Sequence, residues 1–277
     1  MIGSSLQIGD QVIVERQHLQ QLLDVLRKRG YRLVGPTVQG GAIVYDELNS
    51  TADLPVGWMD EQDGGTYRLK KRNDEAFFGY VVGPHSWKRF LHPPVVRLWQ
   101  AARDGNSFQI LEAAQEAPQY AFIGVRPCEL HAIAIQDQVF VKGNCVDPIY
   151  KARREKVFMM AVNCGQAGGT CFCVSMDTGP KATFGFDLAL TEVLEADRHF
   201  FVIEVGTELG AEVLREVPHR EAREGEKGVA LRIVAEAAKQ MGRSMDTTDI
   251  KNLLYGNYEH PRWNHVAARC LTCANCT

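Results

Sequence analysis

The chain has 277 residues, 45% of them apolar, a formal charge of −3 and a pI near 6.3. That composition fits one large or two ordinary globular domains and excludes a chain dominated by disorder. The near-neutral balance leaves no electrostatic footprint for nucleic acid or an acidic membrane surface, so a protein or a small molecule is the expected partner. No run of about 18 apolar residues occurs and Met1–Gln7 has neither a basic nor an apolar leader segment, which predicts a soluble cytoplasmic protein with no membrane span. Eight cysteines in a reducing compartment point to metal binding or redox chemistry rather than a disulfide scaffold.

Leu19, Leu22, Leu23 and Leu26 fall on one helical stripe and Gly30 can close its end, predicting a helix over 16–29 and a strand from Tyr31 to Val34. Short β-type runs follow at Ala42–Tyr45, Phe77–Val82, Ala121–Val125, Val157–Val162 and Phe200–Val205, mixed with helical stretches. The body therefore reads as α/β with a mixed or parallel sheet. Between Val217 and Gly228 the chain turns charged and poor in large apolar groups, which reads as a linker and a domain boundary. Leu231, Val234, Ala238 and Met241 return to helical spacing, and Asp246 or Thr247 is placed to cap a further short helix. The expected organisation is an α/β domain over 1–225, a helical linker arm over 226–269 and the start of a cysteine-rich unit over 270–277.

The first cysteine set begins where the strand Ala121–Val125 runs into Arg126-Pro127-Cys128-Glu129-Leu130. Proline restricts the turn and Glu129 complements the helix dipole, so Cys128 sits at a strand-to-helix corner. Leu130, Ile133 and Ala134 on one face, with Ile135 and Val139 on another, predict a helix buried on more than one side. A right-handed crossover to Val157–Val162 makes the two strands parallel and puts Cys164 past the same edge as Cys128. The glycines of Gly165–Thr170 let backbone N–H groups turn inward ahead of Cys171-Phe172-Cys173.

Cys128, Cys164, Cys171 and Cys173 thus make four candidate soft ligands, enough for one [4Fe–4S] cluster without Cys145. Four thiolates also suit tetrahedral zinc, with His131 a possible companion, and any one cysteine can be a small buried hydrophobe, the reading taken for the isolated Cys145. The glycine-rich stretch matches no phosphate-loop pattern.

Cys270, Cys273 and Cys276 read C-x-x-C-x-x-C, three quarters of a ferredoxin ligand run. Zinc ligands more often come as C-x-x-C pairs separated by a longer loop. The run lacks its fourth cysteine, so a terminal [4Fe–4S] site is incomplete in this chain.

Several stretches together resemble a known family. They are Val125–Leu130, Asp147–Arg154, Cys164–Pro180 with its Cys171-Phe172-Cys173 core, Gly83–Lys88, Pro93-Pro94, and Trp263 followed by Ala268–Cys273. They resemble the iron–sulfur β subunit of cytoplasmic nickel–iron sulfhydrogenases, and the A subunit of anaerobic sulfite reductase looks like the same family. The resemblance implies an electron-transfer subunit: an N-terminal α/β domain with its own unusual cysteine set, then a ferredoxin-like domain with two [4Fe–4S] clusters. It implies that Cys128, Cys164, Cys171 and Cys173 serve the first site, and Cys270, Cys273 and Cys276 the first ferredoxin run. Members continue with a further cysteine before a proline and a second ligand run, so this chain reads as cut within that domain. The implied partners are a flavin-containing NAD(P)H-oxidoreductase subunit and a hydrogenase or sulfite reductase catalytic subunit. No H-E-x-x-H, G-x-S-x-G or P-loop competes with this reading. Its rivals are a zinc-stabilised structural or assembly protein, and an N-terminal domain that binds a flavin or small substrate fed by the clusters.

Overall fold

Runs of β-branched and aromatic residues supply the strands of one large sheet, and the computed structural model describes residues 6–83, 85–112, 117–195 and 198–270. In chain order, β1 (Gln11–Glu15) leads into α1 (Leu19–Lys28), followed by β2 (Arg32–Gln39) and β3 (Ala42–Glu47). Two separate hairpins come next, β4 (Trp58–Asp63) with β5 (Thr66–Lys71) and, after the short α2 (Lys88–Leu91), β6 (Trp99–Asp104) with β7 (Ser107–Glu112). Then come β8 (Tyr120–Val125), α3 (Pro127–Phe140), α4 (Pro148–Arg154), β9 (Phe158–Val162), β10 (Leu188–Glu195) and β11 (Arg198–Val205). The described chain closes with α5 (Glu208–Arg215), the two-residue β12 (Arg220–Glu221), α6 (Glu224–Lys239), α7 (Ile250–Gly256) and α8 (Arg262–Ala267).

Eight of these strands form one mixed sheet in the order β12-β1-β11-β10-β9-β8-β2-β3. The centre is parallel, β10 with β9, β9 with β8 and β8 with β2, while the flanking pairs are antiparallel. All six residues of β8 and all five of β9 are buried, as continuous apolar strands covered on both faces should be. One core layer joins the leucines of α1 and the apolar face of α5 to Ile123, Phe158 and Met160. The other joins Trp87, Phe122, Tyr150 and Met159 with Leu130 and Ile133 of α3. Among the described residues no helix is long and apolar enough to cross a membrane.

The expected α/β class, the helix over the Leu19–Leu26 stripe and the parallel β8–α3–β9 crossover are all present. Several local expectations fail for physical reasons. Phe77–Val82 forms no strand. The N–H groups of Phe77 and Phe78 donate to the Glu192 carboxylate at 2.7 and 2.9 Å, and the Phe78 and Tyr80 carbonyls accept from Arg126 at 2.8 and 2.7 Å. The Val81 N–H donates to Asp60. A segment whose backbone groups are claimed by side chains has none left for a ladder. Helix α3 is also not buried on two sides: Leu130, Ile133 and Gln136 face the protein, while Ile135 and Val139 are 53% and 61% exposed. The short helix within the arm begins after Asp249, which makes no side-chain capping bond, rather than being capped by Asp246 or Thr247.

The charged stretch read as a linker adds β12 beside β1 and begins α6, which lays Ala230 and Val234 near β10 and β11. Electrostatics explain this. Glu226 accepts from Arg220 at 2.6 and 2.8 Å, from Arg198 at 3.0 Å and from the Arg223 N–H at 3.1 Å at the start of α6. These donors, Arg220 foremost, hold the Glu226 carboxyl well below the usual carboxylate range. Because the folded value is depressed, the stabilisation is complete above the unfolded pKa of about 4.3 and fades as pH falls through the folded value. Glu226→Gln is expected to cost about 1–2 kcal/mol at pH 7, the lower figure if its exposed arginine partners are well screened. Urea unfolding followed from pH 7 to pH 2 should show the variant losing less stability on acidification than the parent.

Candidate metal centre

Strand β8 ends at Val125, Arg126 leaves in extended conformation and Pro127 opens α3, so Cys128 lies in the helix's first turn. The Arg126 N–H donates to Glu129 Oε2 at 2.7 Å and fixes that corner. Strand β9 ends one residue before Asn163, whose side chain donates to Thr191 Oγ1 at 2.9 Å and accepts from the Ala182 N–H at 2.7 Å. Those bonds pin the loop that starts at Cys164, whose own N–H donates to the Pro180 carbonyl at 3.1 Å. The chain then folds so that the Gly168 N–H donates to Cys171 Sγ at 3.3 Å, and Cys173 opens a 3-10 turn that ends at Asp177 in the left-handed region. Gly179 sits where a Cβ would lie 3.2 Å from Cys173 Sγ and 3.3 Å from Pro127 Cβ. The Cys173 turn is therefore wedged against the start of the helix that carries Cys128.

The four thiols lie near enough to influence one another electrostatically. The Cys128 thiol feels the charges of Cys164, Cys173 and Cys171, and Cys173 feels Cys164 and Cys171. Burial pushes each thiol up from its ordinary pKa, Cys173 to about 11, although part of the Cys128 residue surface remains open to solvent. For Cys164 the Arg126 guanidinium partly offsets that rise. Among the described residues, no three His, Cys, Asp or Glu side chains gather closely enough to hold a single metal ion.

Polar groups converge on the same region. Arg126 is 5% exposed and acts electrostatically on Cys164, with its guanidinium 5.4 Å from the centre of the Tyr80 ring. Asp60 reaches in from β4 toward Cys171, and burial raises its carboxyl. Buried without a hydrogen-bond partner are Arg126 Nε, Tyr80 Oη and Asp60 Oδ2. Such orphans are costly unless something polar completes them. The two donors among them, Arg126 Nε and Tyr80 Oη, fit an anionic sulfur-rich group together with the four thiols and the inward N–H on Cys171, whereas the Asp60 oxygen is an acceptor and adds nothing to that fit.

The segment after α6 straps across this loop. Met241 Sδ lies 3.9 Å from Cys173 Sγ, the Arg243 N–H donates to the Cys171 carbonyl at 3.1 Å and the Met245 N–H to Ser175 Oγ at 3.1 Å. Gly242 passes so close to Gly169 that a side chain there would meet its carbonyl. Of the terminal run, Cys270 is exposed beyond α8, and Cys273 and Cys276 lie outside the described residues. Cys145 is exposed on the loop between α3 and α4, and His131 meets the Phe184 ring edge-on at 4.7 Å.

Sequence reasoning found the cysteines and missed Arg126, Asp60 and Tyr80 as their neighbours. Arg126 carried one signal, its place directly before a Pro-Cys helix start. Asp60 and Tyr80 carried none, since they reach the site only by way of the β4–β5 hairpin and the loop behind it.

Fold and thiol placement together define an α/β protein whose central parallel strands deliver cysteines to one rim. No family model matches the chain. It is similar to sulfhydrogenase 2 subunit beta from Pyrococcus furiosus, 28% identical over 221 residues, which are 76% of this chain and 61% of that protein. The chain spans less than two thirds of that relative's length.

Proposed function

We propose that this chain is an electron-transfer subunit of a multi-subunit cytoplasmic oxidoreductase of the sulfhydrogenase or anaerobic sulfite reductase type. Similarity to a sulfhydrogenase subunit supports the oxidoreductase role. The observation that carries the finer reading is the convergence of Cys128, Cys164, Cys171 and Cys173 beside a buried guanidinium. In this reading those four thiolates hold one [4Fe–4S] cluster, and Cys270, Cys273 and Cys276 belong to a second that needs a further ligand. A cluster so held supplies one-electron transfer and no bond chemistry.

The chain's own residues do the rest. The Gly168 N–H stabilises the Cys171 thiolate, Arg126 offsets charge at Cys164, and Met241 packs its sulfur against Cys173. A body over 1–225, an arm over 226–269 rooted by α6 on the sheet and a cysteine-rich beginning over 270–277 complete the proposal. Electrons pass between a flavin-bearing NAD(P)H-oxidising partner and a hydrogenase or sulfite reductase catalytic partner.

Protein purified without oxygen is expected to be brown and to bleach with dithionite. A colourless protein with stoichiometric zinc would establish the structural alternative instead. Cys145→Ser is expected to leave iron content and colour unchanged, because Cys145 lies on the α3–α4 loop and is not among the main influences on the other four thiols. Equal iron loss in this variant and in a Cys171 variant would contradict the ligand assignment.

A further inference from the structure

Arg126 combines features that a structural arginine does not need. It is 5% exposed, yet among the described residues its guanidinium forms no salt bridge with a carboxylate; Glu129 bonds its backbone N–H instead. Two neutral carbonyls, of Phe78 and Tyr80, take Nη2 at 2.8 and 2.7 Å. Nε has no partner. The strongest attraction on its charge comes from Cys164. The Glu129 carboxyl also attracts this charge, less strongly than Cys164, and a cation buried with no salt-bridge partner is costly unless the thiol end supplies further negative charge. Its position also cannot drift, because the two carbonyls belong to the 77–82 segment that forms no strand and the Tyr80 ring packs beside the guanidinium.

From this we propose that Arg126 is a positioning and potential-setting residue, a fixed buried charge beside Cys164 that raises the reduction potential of the iron–sulfur centre. The inference rests on the proposed function, since it needs a cluster at the four cysteines. Reduction adds one electron to the cluster and makes it more negative. A permanent positive charge in a low-dielectric surround stabilises the reduced form more than the oxidised one. Aqueous counter-ions cannot take the place of a guanidinium that is itself only 5% exposed.

The test is an anaerobic redox titration of the full chain, with dithionite as the reductant, mediators, and the electron paramagnetic signal as readout. Iron and acid-labile sulfide are measured on the same samples. Arg126→Met is expected to lower the reduced-to-oxidised ratio at fixed poise about tenfold, about 59 mV for a one-electron couple. Arg126→Lys, which keeps the charge, should restore most of that shift. A merely structural arginine would change stability and iron content without this ordering of potentials.

Arg126→Met that retains its iron at an unchanged potential overturns the inference while leaving the proposed function standing. Parent protein without iron or sulfide overturns the proposed function itself. If Arg126→Met does not hold the cluster, the unmodified protein decides. With guanidino-15N-arginine incorporated, pulsed electron paramagnetic spectra of the reduced state should show nitrogen coupling that Arg126→Lys removes, and spectra without that coupling overturn the inference.

Discussion

Replacing Cys171 or Cys173 with serine is expected to lower bound iron from about four atoms per chain to below about one, and to abolish the paramagnetic signal of the reduced protein. The argument is geometric. Cys171 takes an N–H from Gly168 at 3.3 Å, and Cys173 is wedged by Gly179 against the beginning of α3. Both are held by backbone, so neither neighbouring cysteine can swing over to substitute. Serine keeps the shape but offers a hard, protonated hydroxyl where a soft thiolate is needed. If metal binding also contributes folding energy, the same variants should melt lower and lose the difference between anaerobic and air-exposed samples. Unchanged iron in both variants would remove these cysteines from the ligand set.

The largest stability effect is expected at Trp87. Its indole is 1% exposed and lies between the Tyr45 ring, at 3.9 Å between centroids, and the Phe122 ring, at 4.6 Å. Phe122 belongs to β8, and the Tyr45 hydroxyl donates to Glu129, next to Cys128, so the stack supports the sheet and the corner that positions the first cysteine. Trp87→Ala opens a cavity between two large rings and is expected to cost about 3–5 kcal/mol. For a chain of this size that corresponds to a fall in melting temperature of roughly 10 °C. Trp87→Phe keeps most of the stacking and should lose clearly less. Calorimetry on the metal-loaded protein compares the three chains, and a Trp87→Ala loss below about 1 kcal/mol would contradict this packing role.

The centre of the molecule was legible from sequence because its signals are local and strong. Ala121–Val125 and Val157–Val162 are unbroken apolar runs, and the rule that crossovers are right-handed then places Cys128 and Cys164 at one edge. The leucines of α1 declare a helical stripe in the same way. Elements with weaker patterns escaped. The β4–β5 hairpin carries Asp60, Arg68 and Lys70 among few large apolar residues, and its signal was the Asp63-Gly64-Gly65 turn rather than its strands. Phe77–Val82 looked like a strand because it is aromatic and apolar. What decides its conformation is distant: Glu192, Arg126 and Asp60 take its backbone groups.

The site divides along the same line. Cysteine spacing announced the thiols, since few other roles put so many together. Of the polar groups around them, Arg126 stands two residues before Cys128, while Asp60 and Tyr80 come close through tertiary packing alone. Ile135 and Val139 show the reverse error. Two apolar residues at helical spacing predicted burial, and the structure leaves both exposed on the outer face of α3.

One measurement tests the central claim most directly: iron and acid-labile sulfide per chain after purification without oxygen. About four irons with a matching amount of sulfide is the predicted result, with the sites at Cys128, Cys164, Cys171 and Cys173 filled. A chain that folds with its melting transition intact yet carries no iron and no labile sulfide would contradict it.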